Sequence, residues 1–224
     1  VKIMLSAFHN RRDAGRQLAQ KLRRFSKRDD AIVLGLPRGG VPVAFEIAQA
    51  LQLPMDVLVV RKLGVPGQEE LAMGAIASGG VRVLSSDVIV DAGIDTPTIE
   101  RVTAEQTREL VRREQAYRGH RPYPLLENKI VILVDDGIAT GATVRAAVQS
   151  LRIHAPKSIV LAVPVAAPEA LDMLAGDVDE ITCLLTPRPL FGIGEWYEDF
   201  SQLSDDDVRA LLSQAVGQEK SNHR

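Results

Sequence analysis

Val131-Ile-Leu-Val-Asp-Asp-Gly-Ile-Ala-Thr-Gly-Ala-Thr143 says more about fold and function than any other stretch of this chain. Lys129 to Val134 reads as a buried strand that delivers two adjacent carboxylates, Asp135 and Asp136, to its C-terminal end. A turn of small residues follows, Ala139-Thr140-Gly141-Ala142-Thr143, and a helical pattern begins at about Thr143. The backbone N–H groups of such a turn, with the helix N-terminus, form a site for a phosphate. Acids beside a phosphate cradle need a reason, because like charges repel. Ribose hydroxyls or a bridging Mg²⁺ would supply one. Read alone, Asp-Asp fits equally well a plain strand–turn–helix connection with two solvated acids.

Outward from this stretch, apolar strands alternate with helical patterns. Ala14, Leu18, Leu22 and Phe25 recur at helical spacing, which predicts an amphipathic helix over 11–25 with a basic outer face. A strand at Ala31–Leu36 ends in Pro37-Arg38-Gly39-Gly40, a helix runs from about Val41 to Leu51, and a strand is expected at Asp56–Arg61. Residues 62–73 look like a loop, Gly74–Ser78 like a short strand, and Val81–Val90 like a strand pair or ribbon. Thr96-Pro97 reads as the cap and first position of a charged surface helix reaching about Tyr117, with Glu109 placed to pair with Arg113. After the motif helix (about 142–154), a strand is expected at 158–163, a helix at 168–174 and a strand at 180–185. Ser204 with Asp207 caps a last helix bearing Val208, Leu211, Leu212 and Val216 on one face, and the polar residues from 217 onward read as a frayed tail.

This alternation predicts an α/β fold, a mainly parallel twisted sheet flanked by helices. Ligands of such sheets sit beyond the carboxyl ends of the strands. Three suspicious segments fall at expected strand ends: 37–40, 61–64 and 135–143. The first is a tight turn able to aim amides and a guanidinium at an anion, or simply a βα turn with an exposed Arg38. The pair Arg61-Lys62 at the second has an equally plain reading as two solvated bases.

At 224 residues the chain suits one α/β domain with an appendage, or two small lobes, and 46% apolar residues suffice for a core. A net charge of −2 argues against nucleic acid as the principal partner. The single cysteine, Cys183, lies in an apolar run and reads as a buried structural thiol, which fits a reducing cytoplasm. No run approaches a membrane span and no signal-peptide layout opens the chain, so no membrane partner is expected. Because the chain starts at Val1, an initiator methionine or a short leader is expected to be missing. The four histidines (His9, His120, His154, His223) show no metal spacing.

The string 131–143, four apolar residues, two acids, two more residues and Ala-Thr-Gly-x-Thr, resembles the 5-phosphoribosyl-1-diphosphate (PRPP) binding motif of type I phosphoribosyltransferases. The resemblance implies a single domain with its core at about 28–186 and a small hood built from variable segments, 1–27, 91–125 and 187–216. It implies that Asp135 and Asp136 contact the ribose hydroxyls, directly or through Mg²⁺ that is itself held directly or through water. Ala139, Thr140, Gly141, Ala142 and Thr143 would wrap the 5′-phosphate. Arg38, Gly39 and Gly40 match the pyrophosphate loop of the family. Arg61 and Lys62 match a pair found beside the diphosphate, at the root of a mobile catalytic loop that would contain Glu69 and Glu70. Asp135, Asp136, Arg61 and Lys62 are thus the expected catalytic set.

The implied activity is Mg²⁺-dependent transfer of the phosphoribosyl group from PRPP to a small nitrogenous acceptor, with pyrophosphate released. Members acting on 6-oxopurines usually carry an acid three positions after the second acid. Here that position is Ala139, which disfavours such acceptors. Phe191, Trp196 and Tyr197, with Phe200, crowd one decade and are candidates either for stacking on an acceptor or for plugging a small hood core. The wider chain is similar to a group of uncharacterised bacterial phosphoribosyltransferase-like proteins, and a homodimer is compatible with it. The competing reading is a PRPP-binding sensor or regulator that does no chemistry. In that reading Arg101, Arg108, Arg112 and Arg113 would offer a basic helix face to nucleic acid. A further alternative is a different sugar-phosphate enzyme reusing the cradle.

Overall fold

The computed structural model describes residues 7–222. Five strands form the central sheet: β1 (Ala31–Gly35), β2 (Met55–Val57), β6 (Ile130–Val134), β7 (Ser158–Val165) and β8 (Glu180–Leu185), in the order β2-β1-β6-β7-β8 and parallel throughout. A second sheet, of β3 (Val60–Val65), β4 (Gln68–Ala77) and β5 (Val81–Leu84), is antiparallel.

The central strands are buried on both faces and send alternate side chains to two cores. Val33, Ile132 and Ala162 join one core with α1 (Arg11–Lys21), α2 (Gly40–Leu51), α4 (Thr96–Arg118) and α7 (Asp205–Asn222). Leu34, Leu133 and Leu161 join the other with α5 (Ala142–Ile153) and α6 (Pro168–Leu174). α2 is buried nearly all round because α1 and α7 cover the face it turns from the sheet. A third, small cluster gathers Phe8, Ala14, Val165 and Tyr197, with Ile193, Trp196 and Phe200 packed on it.

Several expectations are corrected. The strand expected over Asp56–Arg61 is two strands in different sheets: β2 stops at Val57, and the chain leaves the central sheet when Val59 N–H donates to Ser78 Oγ at 3.0 Å. The loop expected at 62–73 is mostly the β3–β4 hairpin. Its glycines and proline serve a bulge at Leu63–Val65 and a bend at Pro66-Gly67, where Gly67 has φ +81°. A Cβ on Gly64 would meet Glu69 O at 2.8 Å, so the bulge needs glycine there. Of Val81–Val90 only β5 is strand; Ser86–Asp91 is a short helix, α3, with Ser85 at its N-cap position and Asp87 in its first turn.

The first helix ends at Lys21, and a 3₁₀ turn at Arg23–Phe25 turns Phe25 into the core. The cap of α4 is Asp95, whose carboxylate accepts from Thr98 N–H at 3.0 Å, so Thr96 is already helical. The cap expected for the last helix is present, with Asp207 Oδ2 accepting from Ser204 N–H and Oγ at 2.8 and 2.6 Å. That helix continues to Asn222 rather than stopping at 217. Cys183 is half-buried on the edge strand β8, and burial pushes its thiol pKa up. Residues 1–6 of the expected hood and residues 223–224 of the tail lie outside the described residues.

Candidate active site

β1 and β6 are adjacent and in register, Gly35 opposite Val134, so the turns that follow them emerge side by side. Leu36 N–H donates to Val134 O at 2.8 Å, and Gly40 N–H to Leu36 O at 3.0 Å. The 38–40 turn thus lies directly against the acid pair. A Cβ on Gly40 would meet Val134 O at 2.5 Å, and one on Gly39 would stand 2.0 Å from Asp136 Oδ2. The Pro37–Arg38 peptide is cis. Arg38 itself is exposed.

Beyond the acids, Ile138 pairs with Ala166, which ties the turn to the end of β7. Gly141, at φ +78°, turns the chain into α5, and a Cβ there would meet Met173 at 3.1 Å. Ala139, Thr140, Ala142 and Thr143 are exposed around the helix N-terminus, where N–H groups without helical partners are available to an anion.

The two carboxylates differ. Asp136 N–H donates to Asp135 Oδ1 at 2.9 Å. Burial, and then the neighbouring charge of Asp136, push the pKa of Asp135 well above the usual carboxylate range. Asp136 has a cation of its own: Arg11 Nε donates to its Oδ2 at 2.7 Å. Arg11 also donates through Nη1 to Ser201 O at 2.9 Å, and its guanidinium lies 3.8 Å from the centre of the Phe200 ring. Arg11 was legible in the sequence only as part of a basic helix face; the partner is 125 positions away, and no local signal marks it.

The third expected segment is elsewhere. Arg61 and Lys62 lie on β3 of the antiparallel sheet, not at a strand end of the central one, because the chain changes sheets before reaching them. They line a cavity of about 470 Å³ between the hairpin and α4. Arg61 donates through Nε and Nη2 to Gln106 Oε1 at 2.9 and 2.7 Å. Burial, followed by the charge of Arg113, lowers its pKa. Glu69 is exposed on the same hairpin, and the side chain of Glu70 falls outside the described residues.

Of the aromatics, Phe191 is 80% exposed, Trp196 is half-buried and Tyr197 is buried. The Tyr197 ring packs against Phe8 and Phe200, with centroids 5.3 and 5.0 Å away, and its hydroxyl donates to Asp136 O at 2.6 Å. Ile193 closes over Gly137, where a Cβ would come within 2.4 Å of it. The segment 191–200 therefore leans on the acid turn, with Phe191 the most exposed of its aromatics.

Among the described residues, no group of three or more His, Cys, Asp or Glu side chains gathers to hold a metal. A hard dication held by one or two carboxylates, with the rest of its shell from ligand phosphates and water, is the chemistry the acid pair fits. On α4, Arg101 pairs with Glu105, Arg113 with Glu109, and Arg112 with Glu109 and Asp205, so the charges of the expected basic face are largely matched. Among the described residues no helix is long and apolar enough to cross a membrane.

The family model of the phosphoribosyl transferase domain matches residues 4–198. A Mycobacterium tuberculosis protein whose name provisionally assigns it as a phosphoribosyl transferase is 50% identical over 211 residues, 94% of this chain and 47% of that protein. The chain thus spans about half the length of the curated relatives it matches. The crystal structure of the protein TT1426 from Thermus thermophilus superposes with a TM-score of 0.83 at 40% identity, covering 92% of this chain and 98% of that one. The chain belongs to the phosphoribosyl transferase family, whose members are enzymes of the glycosyltransferase type.

Proposed function

We propose that this domain transfers the 5-phosphoribosyl group of PRPP to a nitrogenous, nucleobase-like acceptor in an Mg²⁺-dependent reaction. The observation that carries the reading is the contact between the 38–40 turn and the acid pair, with the open N-terminus of α5 on the other side of the pair. In this reading residues 139–143 hold the 5′-phosphate, Asp135 and Asp136 face the ribose hydroxyls, and Arg38 with the 39–40 backbone receives the diphosphate. Mg²⁺ at the acid pair and diphosphate would offset charge on the leaving group.

The bond from C1 to the diphosphate oxygen breaks, a bond from the acceptor nitrogen to C1 forms as that nitrogen gives up its proton to the departing diphosphate or to water, and positive charge on the sugar is transient. Positioning and electrostatics do this work with no covalent nucleophile. Arg61 and Lys62 reach the diphosphate only if the β3–β4 hairpin closes toward the central sheet, as a lid would. Ala139 offers no carboxylate to a 6-oxopurine, so other planar nitrogen heterocycles, stacking on Phe191, are the expected acceptors. The matched charges on α4 favour this reading over a nucleic-acid-binding regulator.

The test is calorimetric titration of PRPP with Mg²⁺, followed by a nucleobase panel read through pyrophosphate release. Asp135→Asn/Asp136→Asn is expected to weaken PRPP binding with the fold intact. Unchanged affinity would reject the ribose role, and measurable turnover of guanine would reject the acceptor assignment.

A further inference from the structure

Arg11 meets the acid pair from outside the central sheet. Its side chain is 11% exposed and that of Asp136 15%, so their 2.7 Å contact is shielded from water on most sides. The guanidinium has no slack: Ser201 O accepts from Nη1, Phe200 covers its face, and Asp136 accepts from Nε. Asp136 is equally confined, since its carboxylate abuts Gly39 and its main-chain carbonyl accepts from the Tyr197 hydroxyl. Two segments far apart in sequence, the start of α1 and residues 197–201, therefore converge on one acid. Besides Arg11, the Asp136 carboxyl engages that of Asp135.

We infer that Arg11 is a positioning residue for the phosphoribosyl-donor site, holding the Asp136 carboxylate in one rotamer so that it accepts from a ribose hydroxyl. A full positive charge already lies one hydrogen bond from Oδ2, and like charges repel steeply in a shielded site. A divalent cation bound with the donor would therefore be held on the side of the pair away from Arg11, toward Asp135 and the diphosphate, and the two acids would divide their work. This inference rests on the PRPP reading above, and the experiment separates the two.

PRPP affinity is measured by calorimetry with Mg²⁺ for the unmodified chain, Arg11→Met, Asp136→Asn and the double variant, with thermal midpoints in parallel. Losing a charged hydrogen bond predicts about 10- to 100-fold weaker PRPP binding for Arg11→Met. In the Asp136→Asn background the same change is expected to cost less than about twofold, because Arg11 acts through Asp136. The Mg²⁺ concentration giving half-maximal PRPP binding is expected to stay the same in Arg11→Met. Equal losses in both backgrounds would overturn the inference, since a merely structural arginine costs the same with or without Asp136. A shifted Mg²⁺ requirement would overturn the division of labour. If Asp136→Asn weakens PRPP and Arg11→Met does not, the inference fails while the donor site stands. If Asp136→Asn leaves PRPP binding unchanged, the donor-site reading itself fails. Should Arg11→Met not fold, Arg11→Lys keeps the test: a single ammonium cannot make both arginine contacts, so PRPP binding is expected to weaken up to about tenfold, whereas the same loss with Asp136→Asn as without it would refute the positioning role.

Discussion

Gly39→Ala is a sharp test of how the two turns pack. Gly39 sits at φ −63° and ψ −37°, where alanine is comfortable, so the backbone raises no objection. The objection is Asp136: the new Cβ would stand 2.0 Å from Oδ2, 2.4 Å from Cγ and 2.8 Å from Oδ1. A side chain this short can escape only by rotating about χ1, which breaks its 2.7 Å bond to Arg11. Loss of a charged, shielded hydrogen bond costs about 1.5–3 kcal/mol. Replacing glycine by alanine at a compatible φ/ψ returns about 0.4–1 kcal/mol through the unfolded chain. The net destabilisation is about 0.5–2.6 kcal/mol. With a urea slope of about 3 kcal/mol per M for a chain of this size, the midpoint falls by roughly 0.2–0.9 M. In an Asp136→Ala background the clash is gone, and the same substitution is expected to be neutral or stabilising by up to about 1 kcal/mol. Equal cost in both backgrounds, or no cost in the unmodified chain, would refute the packing argument.

Other perturbations follow from the same geometry. Thr140→Trp fills the exposed turn before α5, and calorimetry is expected to show loss of ribose 5-phosphate binding; normal binding would put that phosphate elsewhere. Arg118, 4% exposed, donates to Asp56 Oδ1 at 3.0 Å and Val57 O at 3.1 Å. Arg118→Ala strands a buried carboxylate and is expected to cost about 3–5 kcal/mol in urea unfolding, whereas a loss under about 1 kcal/mol would contradict the pairing. All three tyrosines prefer the neutral phenol. Burial, with the hydrogen bond to Asp205, pushes Tyr117 up to about 12, and burial pushes Tyr123 and Tyr197 further up. Raised folded-state pKa values mean that this stability is complete below about pH 10, the unfolded value, and is lost as pH rises through the folded ones. Ultraviolet titration is therefore expected to show phenolate only as the protein unfolds; one tyrosine ionising near pH 10 in the folded chain would contradict this.

Four of the five strands of the central sheet, and the turn of the candidate phosphate cradle, are legible in the sequence. β1, β6, β7 and β8 are apolar runs between helical patterns, a signal written within a few residues, and the strand–turn–helix at 130–153 carries its small-residue turn in plain order. That 38–40 meets 135–136 follows from the strand order, which sets β6 beside β1 and is written in no local stretch. The tertiary structure alone decided the rest. Glycines and a proline at 64–67 serve a bulge and a bend inside a hairpin, yet local chemistry does not distinguish them from a loop. The change of sheet at Val59 depends on Ser78, and the cation beside Asp136 comes from residue 11. Periodicity and turn chemistry are local properties of the chain. Hydrogen bonds and ion pairs between segments far apart in sequence exist only after the cores have formed, and the pairing of Arg11 with Asp136 is of that kind.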